Sequence, residues 1–287
     1  MRAVPARPLL DDGLLPLLRG YGQILFQPSA ATGGLFALAA LLSAPTAFGV
    51  SLGAAIGAWC AGWWFLRSQA FFSDGTAIFN AALAGLALGS FLEFSPLLVL
   101  IATGVGALTV WLLVVLRSIL PLPVYTVPYI AMTWIALPFC TGFVGIMEAP
   151  ALAANTGFLT APGANSAQVL FSTEQWVGLA VILAVLVHSR GAALWVLVAA
   201  IGSWLIALGL GLPDSQFADG LLGYNALILA SALHARGTRP GGILLGIAVS
   251  VILSYGLLEL QVTLLSLPFV LSAWLIIIFG PKPTSAA

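Results

Sequence analysis

Gln23-Ile24-Leu25-Phe26 is echoed by Gln168-Val169-Leu170-Phe171, 145 positions further along the chain. Ala55-Ile56-Gly57-Ala58-Trp59 returns at the same separation as Ala200-Ile201-Gly202-Ser203-Trp204. Asp74-Gly75 with Phe79-Asn80-Ala81 likewise returns as Asp219-Gly220 with Tyr224-Asn225-Ala226. A fourth pair, Pro128-Tyr129-Ile130 with Trp134, recurs as Pro268-Phe269-Val270 with Trp274, here 140 positions apart. Two similar halves in an apolar chain point to a transport pathway between structural repeats.

Composition fixes the solvent. The 287 residues are 61% hydrophobic and 6% charged, with a mean hydropathy of +1.12. A soluble domain carries about 25% charged residues. So few charges cannot cover a water-facing surface, and the expected environment is lipid. The formal net charge of +0 gives no electrostatic basis for a nucleic-acid partner. Cys60 and Cys140 sit in apolar runs and read as small packing residues, without metal-ligand spacing. No cleavable signal peptide is evident: Asp11, Asp12 and several prolines interrupt any apolar region behind Arg2 and Arg7. The first span is expected to act as the insertion signal.

About 20 apolar residues span a bilayer core, within a usual range of roughly 17–25. Ten runs are predicted as spans: 30–48, 50–66, 75–92, 97–116, 126–146, 174–188, 192–212, 219–234, 241–258 and 264–280. With the N-terminus in the cytoplasm, Arg67, Arg117, Arg190, Arg236, Arg239 and Lys282 all fall on inside segments. The outside loops then carry Glu93, Glu148, Asp214 and Glu259 and no basic residue. This is the positive-inside pattern, and it places both termini in the cytoplasm. Five spans per half is an odd number, so the second half is expected to enter the membrane the other way up, as an inverted repeat. The expected organisation is a first repeat over 1–147, an extracytoplasmic linker over 148–165, and a second repeat over 166–287. The linker, rich in Ala, Asn, Gly, Pro and Thr, is long enough to include the start of a re-entrant segment.

The paired polar residues carry the chemistry. A glutamine at membrane depth needs a partner, because an unsatisfied amide in lipid costs several kcal/mol. Gln23 and Gln168 read as pore-lining groups that replace water around a polar solute; the alternative is a glutamine at the interface, near a helix start. Phe26 and Phe79, with Phe171 and Tyr224 as their counterparts, read either as packing aromatics or as rings facing each other across a flat slot. Asn80 and Asn225 are expected to satisfy broken backbone groups or to bond across helices. Asp74 and Asp219 suit helix N-caps. Thr126 and Ser266 each stand two residues before a proline, where the helix is expected to break. Their hydroxyls would either offer acceptors to a passage or bond back to their own helix.

Absences narrow the class. No Asp, Glu, Lys or Arg stands clearly at a span centre, where ion-coupled transporters and proton relays place one. His188 and His234 fall at span ends. There is no nucleotide-binding loop and no H-E-x-x-H, so neither motif points to an enzyme. The remaining reading is a neutral, hydrogen-bonding passage for an uncharged polar solute.

Arg19-Gly20-Tyr21-Gly22-Gln23 with Phe26, the Phe79-Asn80 and Tyr224-Asn225 motifs, and Leu122-Pro123-Val124 with Thr126 and Pro128 resemble the urea transporter (urea channel) family, bacterial type. The resemblance runs from about residue 17 to 280. It implies an all-α polytopic membrane protein of ten transmembrane helices, in two inverted five-helix repeats with re-entrant half-helices around a central pore. It further implies a homotrimer with one pore per protomer, a bacterial inner-membrane location, no cofactor, and passive flow of urea through a narrow filter. Carried over by motif, Gln23 and Gln168 would supply an oxygen ladder, and Phe26 and Phe79 an aromatic slot with Leu83 beside it. Val169, Tyr224 and Ile228 would line the opposite end, and Thr126 and Ser266 the narrow centre. The chain departs from the family at Ser266, where Thr is frequent, at Gln168, where some members have Glu, and at Tyr224, where Phe is common. Thr76-Ala77-Ile78 also replaces a Gly-rich approach to Phe79. These departures leave open another small neutral solute, such as a short amide, ammonia or water.

Overall fold

The structure is a computed structural model describing residues 13–66, 69–147, 160–212 and 220–280. In chain order its helices are α1 (Leu14–Gly22), α2 (Ala30–Ser43), α3 (Pro45–Leu66), α4 (Ala70–Ser73), α5 (Phe79–Phe91), α6 (Pro96–Ile119) and α7 (Val127–Cys140). There follow α8 (Ala161–Ala167), α9 (Gln175–His188), α10 (Arg190–Gly209), α11 (Tyr224–Ala235), α12 (Pro240–Glu259) and α13 (Leu267–Phe279). Short 3₁₀ turns, Gln23–Leu25 and Gln168–Leu170, extend α1 and α8. Local chemistry sets the starts. Ser29, Ser95 and Ser189 cap α2, α6 and α10 by accepting from the N–H three residues on. Prolines open α3, α6 and α12, where their missing N–H costs nothing.

Each of the ten predicted runs contains one of these helices, with shifted ends. The break between the first two lies at Ala44, not near Gly49, because Pro45 disfavours helical backbone before it and fits the first turn after it. Four helices are long and apolar enough to cross a bilayer alone: α3, α6, α10 and α12. Two bent pairs, Leu14–Leu25 with Ala30–Ser43 and Pro162–Leu170 with Gln175–His188, each turn by 79° and can count as one span apiece, giving up to six among the described residues. The helices α5, α7 and α13 are shorter, at 13, 14 and 13 residues. They start late because turns precede them: Gly75 takes φ +88°, and Tyr125 and Leu265 take φ +48° and +41°. Three helices, α1, α4 and α8, lie outside the predicted runs, and α8 begins inside the stretch assigned to the linker.

Polarity is inverted relative to a soluble protein. Trp64 is 79% exposed and Phe279 80%, while Ser51, Thr109, Asn80, Asn225, Ser203 and Ser272 are buried. In water such a surface would drive association; in lipid it is the expected exterior. Cys140 is buried, but Cys60 faces outward, so the core reading holds for one cysteine only. The chain is therefore a helical, multi-pass membrane protein.

Glycines let backbones touch where lipid offers no hydrophobic drive for helix association. On α3 and α6 the crossing is reciprocal: a Cβ on Gly57 would overlap the Thr103 carbonyl, and one on Gly106 the Ala54 carbonyl. The bent pairs share a second such contact. Gly33 lies against the Leu18 carbonyl, and Gly178, 145 positions on, against the Gly163 carbonyl, itself 145 after Leu18. Gly106→Ala is expected to destabilise the protein by about 1–3 kcal/mol through overpacking. Gly104→Ala, on an open face of the same helix, is expected to be neutral or to stabilise by up to about 1 kcal/mol. Thermal unfolding of the two purified variants checks this; equal midpoints would mean that the α3–α6 crossing is not set by backbone contact.

Candidate functional site

The helices α7 and α13 begin in the interior, where water cannot satisfy their free N–H groups. The first four positions of each can be accounted for completely. In α7, Val127 N donates to the Val124 carbonyl at 3.1 Å, Pro128 has no N–H, and Ile130 N donates to the Thr126 carbonyl at 3.0 Å. The remaining donor, Tyr129 N, goes to Asn80 Oδ1 on α5 at 3.1 Å. In α13, Leu267 N donates to the Leu264 carbonyl at 3.0 Å and Val270 N to the Ser266 carbonyl at 3.2 Å. Phe269 N goes to Asn225 Oδ1 on α11 at 3.2 Å. Each asparagine also donates through Nδ2 to the carbonyl just before the cap, Asn80 to Tyr125 O and Asn225 to Leu265 O, both at 3.2 Å. A side chain from a neighbouring helix thus performs the task of an N-cap.

This frees the residues that occupy the cap positions. Thr126 and Ser266 make no cap hydrogen bond. Their hydroxyls do not bond back to their own helices; instead Ser266 Oγ donates to Thr126 Oγ1 at 2.6 Å. Around this contact the halves exchange matching bonds. Trp134 Nε1 donates to the Thr263 carbonyl at 3.1 Å, and Trp274 Nε1 to the Pro123 carbonyl at 2.9 Å. Donors and acceptors are each 140 positions apart, so residue i of one half meets residue j of the other and the reverse, as at a two-fold interface.

A cavity of about 530 Å³ brings Gln23, Phe26 and Phe79 together with Thr76, Val124, Tyr125, Arg117 and Arg236. Gln23 sits at the end of α1, not near a helix start; its Nε2 donates to the Asp74 carbonyl at 3.1 Å and reaches Thr76 Oγ1 at 3.4 Å. Its Oε1 takes no hydrogen bond from the described residues. Phe26 holds φ +58° at the end of the 3₁₀ turn, and Phe171 repeats it at +59°. Phe26 and Phe79 are not parallel walls: their centroids are 6.2 Å apart and their planes tilted by 59°. Two stacked rings with a planar guest between them need about 7 Å, twice the roughly 3.5 Å contact distance of carbon atoms. Phe26 also packs edge-on against Tyr125 at 5.7 Å and, tilted by 59°, against Phe269 at 5.8 Å. The rings form a touching cluster of four.

The second-half residues are arranged differently. Phe171 packs edge-on against Phe91, at 6.1 Å, and the Tyr224 hydroxyl donates to the Leu265 carbonyl, which Asn225 also engages. Phe79, at the position corresponding to Tyr224, has no hydroxyl, so the Tyr125 carbonyl keeps an acceptor site that its counterpart has lost. Gln168 is half-buried, while Leu83, Val169 and Ile228 are buried, and none of the four lines the cavity. Asp74 does not cap α5: its Oδ1 accepts from Thr76 N at 2.8 Å within a turn, and the residue at the cap is Ile78. Asp219, Glu148, Asp214, Arg67 and Lys282 lie outside the described residues. Sequence reasoning missed Tyr125, Phe269 and the two arginines at the cavity. The proline-rich approach Pro121-Leu122-Pro123 to Tyr125 was the available signal for the first of these.

Asn80→Ala strands the Tyr129 N–H and the Tyr125 carbonyl, whereas Asn225→Ala strands the Phe269 N–H alone, because the Tyr224 hydroxyl still holds the Leu265 carbonyl; each is expected to cost about 1–3 kcal/mol, Asn80→Ala the more. Asn80→Asp, when ionised, keeps the acceptor but brings a charge into the interior, and is expected to cost at least as much as Asn80→Ala. Unfolding midpoints in detergent check this order; an unperturbed Asn80→Ala would mean that water reaches the helix start.

Comparison with curated proteins gave no match. The sequence profile of the urea transporter family matches residues 14–281, a stretch that takes in both interior helix starts, both asparagines and the cavity. The chain belongs to the urea transporter family.

Proposed function

We propose that this protein is a passive channel that conducts urea down its gradient through a narrow neutral filter. The carrying observation is the Thr126–Ser266 contact: two hydroxyls, released from capping by Asn80 and Asn225, meet where two interior helices begin. A hydroxyl pair of this kind both donates and accepts, and so can replace water around a small dipolar solute. The helix starts add positive potential of roughly half an elementary charge each. That disfavours ammonium and protons without charging the path, the logic by which half-helix dipoles exclude cations elsewhere.

The two halves, 1–147 and 166–287 about the linker 148–165, are read as inverted repeats. Reciprocal tryptophan bonds support a two-fold relation. The starts of α7 and α13 meet at Thr126 and Ser266, which suits helices running apart from a common depth. With the arginines inside, both termini are cytoplasmic and the bent pairs serve as re-entrant segments in a ten-span arrangement. Gln23 Oε1 stands at one end of the path with Phe26, Phe79 and Leu83. Gln168, Val169, Tyr224 and Ile228 belong to the other end, and the tilted rings must part to admit a flat guest. A homotrimer in a bacterial inner membrane completes the reading.

Stopped-flow light scattering on proteoliposomes tests it. Wild type is expected to show a fast shrink-swell response to urea and none to glycerol, with no requirement for a sodium or proton gradient. Gln23→Leu is expected to abolish nearly all urea flux while assembly is retained. Thr126→Val removes a central acceptor worth about 1–2 kcal/mol, and should slow flux by roughly 5–30-fold. Normal flux in Gln23→Leu would remove Gln23 from the filter, and a gradient requirement would contradict passive flow. Equal or faster passage of ammonia, water or another amide would assign the conduit to that solute.

A further inference from the structure

The 530 Å³ cavity carries a feature that an uncharged conduit does not need: two arginines and no carboxylate in its lining. Arg117 comes from the last turn of α6, in the first half, and Arg236 from the C-terminal cap of α11, in the second. Topology alone favours basic residues on one side, and helix C-termini favour them locally. Neither preference requires arginines from separate halves to converge on one opening. The Arg117 guanidinium is held 4.7 Å over the Phe71 ring, a contact that uses its face and leaves its N–H edges free to donate. Among the described residues neither arginine has a carboxylate partner.

A third donor is available beside them. Tyr125 lines the cavity, and its hydroxyl, buried beside Arg236, meets no acceptor among the described residues, so its O–H is free to donate. Asp74, two positions before the cavity-lining Thr76, is outside the lining, and its Oδ1 accepts from the Thr76 N–H. Position 91, which corresponds to Arg236 in the first half, is Phe91. The charge of Arg236 is therefore not shared by its repeat counterpart. A liquid water occupies about 30 Å³, so the cavity has room for a solvated ion above Gln23 and Phe26.

We propose that this mouth binds a small multivalent oxyanion of the phosphate class, held by Arg117, Arg236 and the Tyr125 hydroxyl, and that the bound anion obstructs the conduit. Bidentate guanidinium contacts suit a tetrahedral oxyanion better than chloride. The obstruction rests on the channel reading of the preceding subsection; the binding does not.

The test separates the two. Inorganic phosphate is titrated calorimetrically into the purified protein in a chloride buffer, alongside R117Q/R236Q. One phosphate per protomer is expected, with affinity reduced at least tenfold in the double variant, whose unfolding midpoint serves as the control for folding. No binding at millimolar phosphate, or equal binding by the double variant, overturns the site whether or not the protein conducts urea. Urea flux is then measured with phosphate on both faces of phosphatidylcholine vesicles, against chloride at equal ionic strength. A slowing of about threefold in wild type, absent from the double variant relative to its own chloride rate, supports obstruction; unchanged wild-type flux overturns it. Vesicles containing phosphatidylglycerol distinguish the source of the phosphate. Slowing by that lipid alone, with no response to free phosphate, overturns a soluble ligand.

Discussion

Every backbone N–H at the start of a helix must find an acceptor, and in a bilayer interior water is not available to supply one. The architecture described here turns on how that requirement is met at two places. Asn80 and Asn225 reach across from α5 and α11 to cap α7 and α13 from outside. Residues at the cap positions would ordinarily spend their hydroxyls on the same task. Thr126 and Ser266 instead retain theirs, and the two meet. Four separate elements must be positioned for this, which gives the close glycine crossings their purpose: they bring backbones near enough for short polar side chains to reach.

The two ends built on this centre are not equivalent. At one, Gln23 keeps a free carbonyl oxygen, the Tyr125 carbonyl keeps an open acceptor site, and two arginines stand at the opening. At the other, the Tyr224 hydroxyl joins Asn225 on the Leu265 carbonyl. A further bridge is not repeated between the corresponding positions. Gln27 Nε2 and Ser231 Oγ converge on the Leu25 carbonyl, tying the first half to α11, whereas the corresponding positions are Ser172 and Leu86. Corresponding positions of the two sequence halves thus differ in a few side chains, each changing which backbone oxygens are free.

Much of this was legible in the sequence because it is carried by pattern. The apolar composition and sparse charge placed the chain in lipid. The recurrence of Gln23-Ile24-Leu25-Phe26, of Asn80 and of Trp134 marked positions that share local geometry in both halves. What could not be read was distance. Nothing in the spacing of Phe26 and Phe79 reveals that their rings tilt and touch, because that depends on Tyr125 and Phe269 crowding the same space. Asp74 looked like a cap because of its place before α5, but the positive φ of Gly75 turns the chain first. The short helix α1 escaped notice because Gly20, Tyr21 and Gly22 are weak helix formers; packing against Ile78 and Gly33 holds it in place. Arg117 and Arg236 lie far apart in sequence, and only the fold puts them on one opening.

The most direct measurement is an experimental density map of the protein in a lipid bilayer, recorded with and without urea. The expected result is two halves of opposite orientation and, in the urea map alone, a feature within hydrogen-bonding distance of Thr126 or Ser266 on a path continuous with Gln23. Halves that run the same way up, or a Thr126–Ser266 contact sealed by side chains with no urea beside it, would contradict a conduit at this centre.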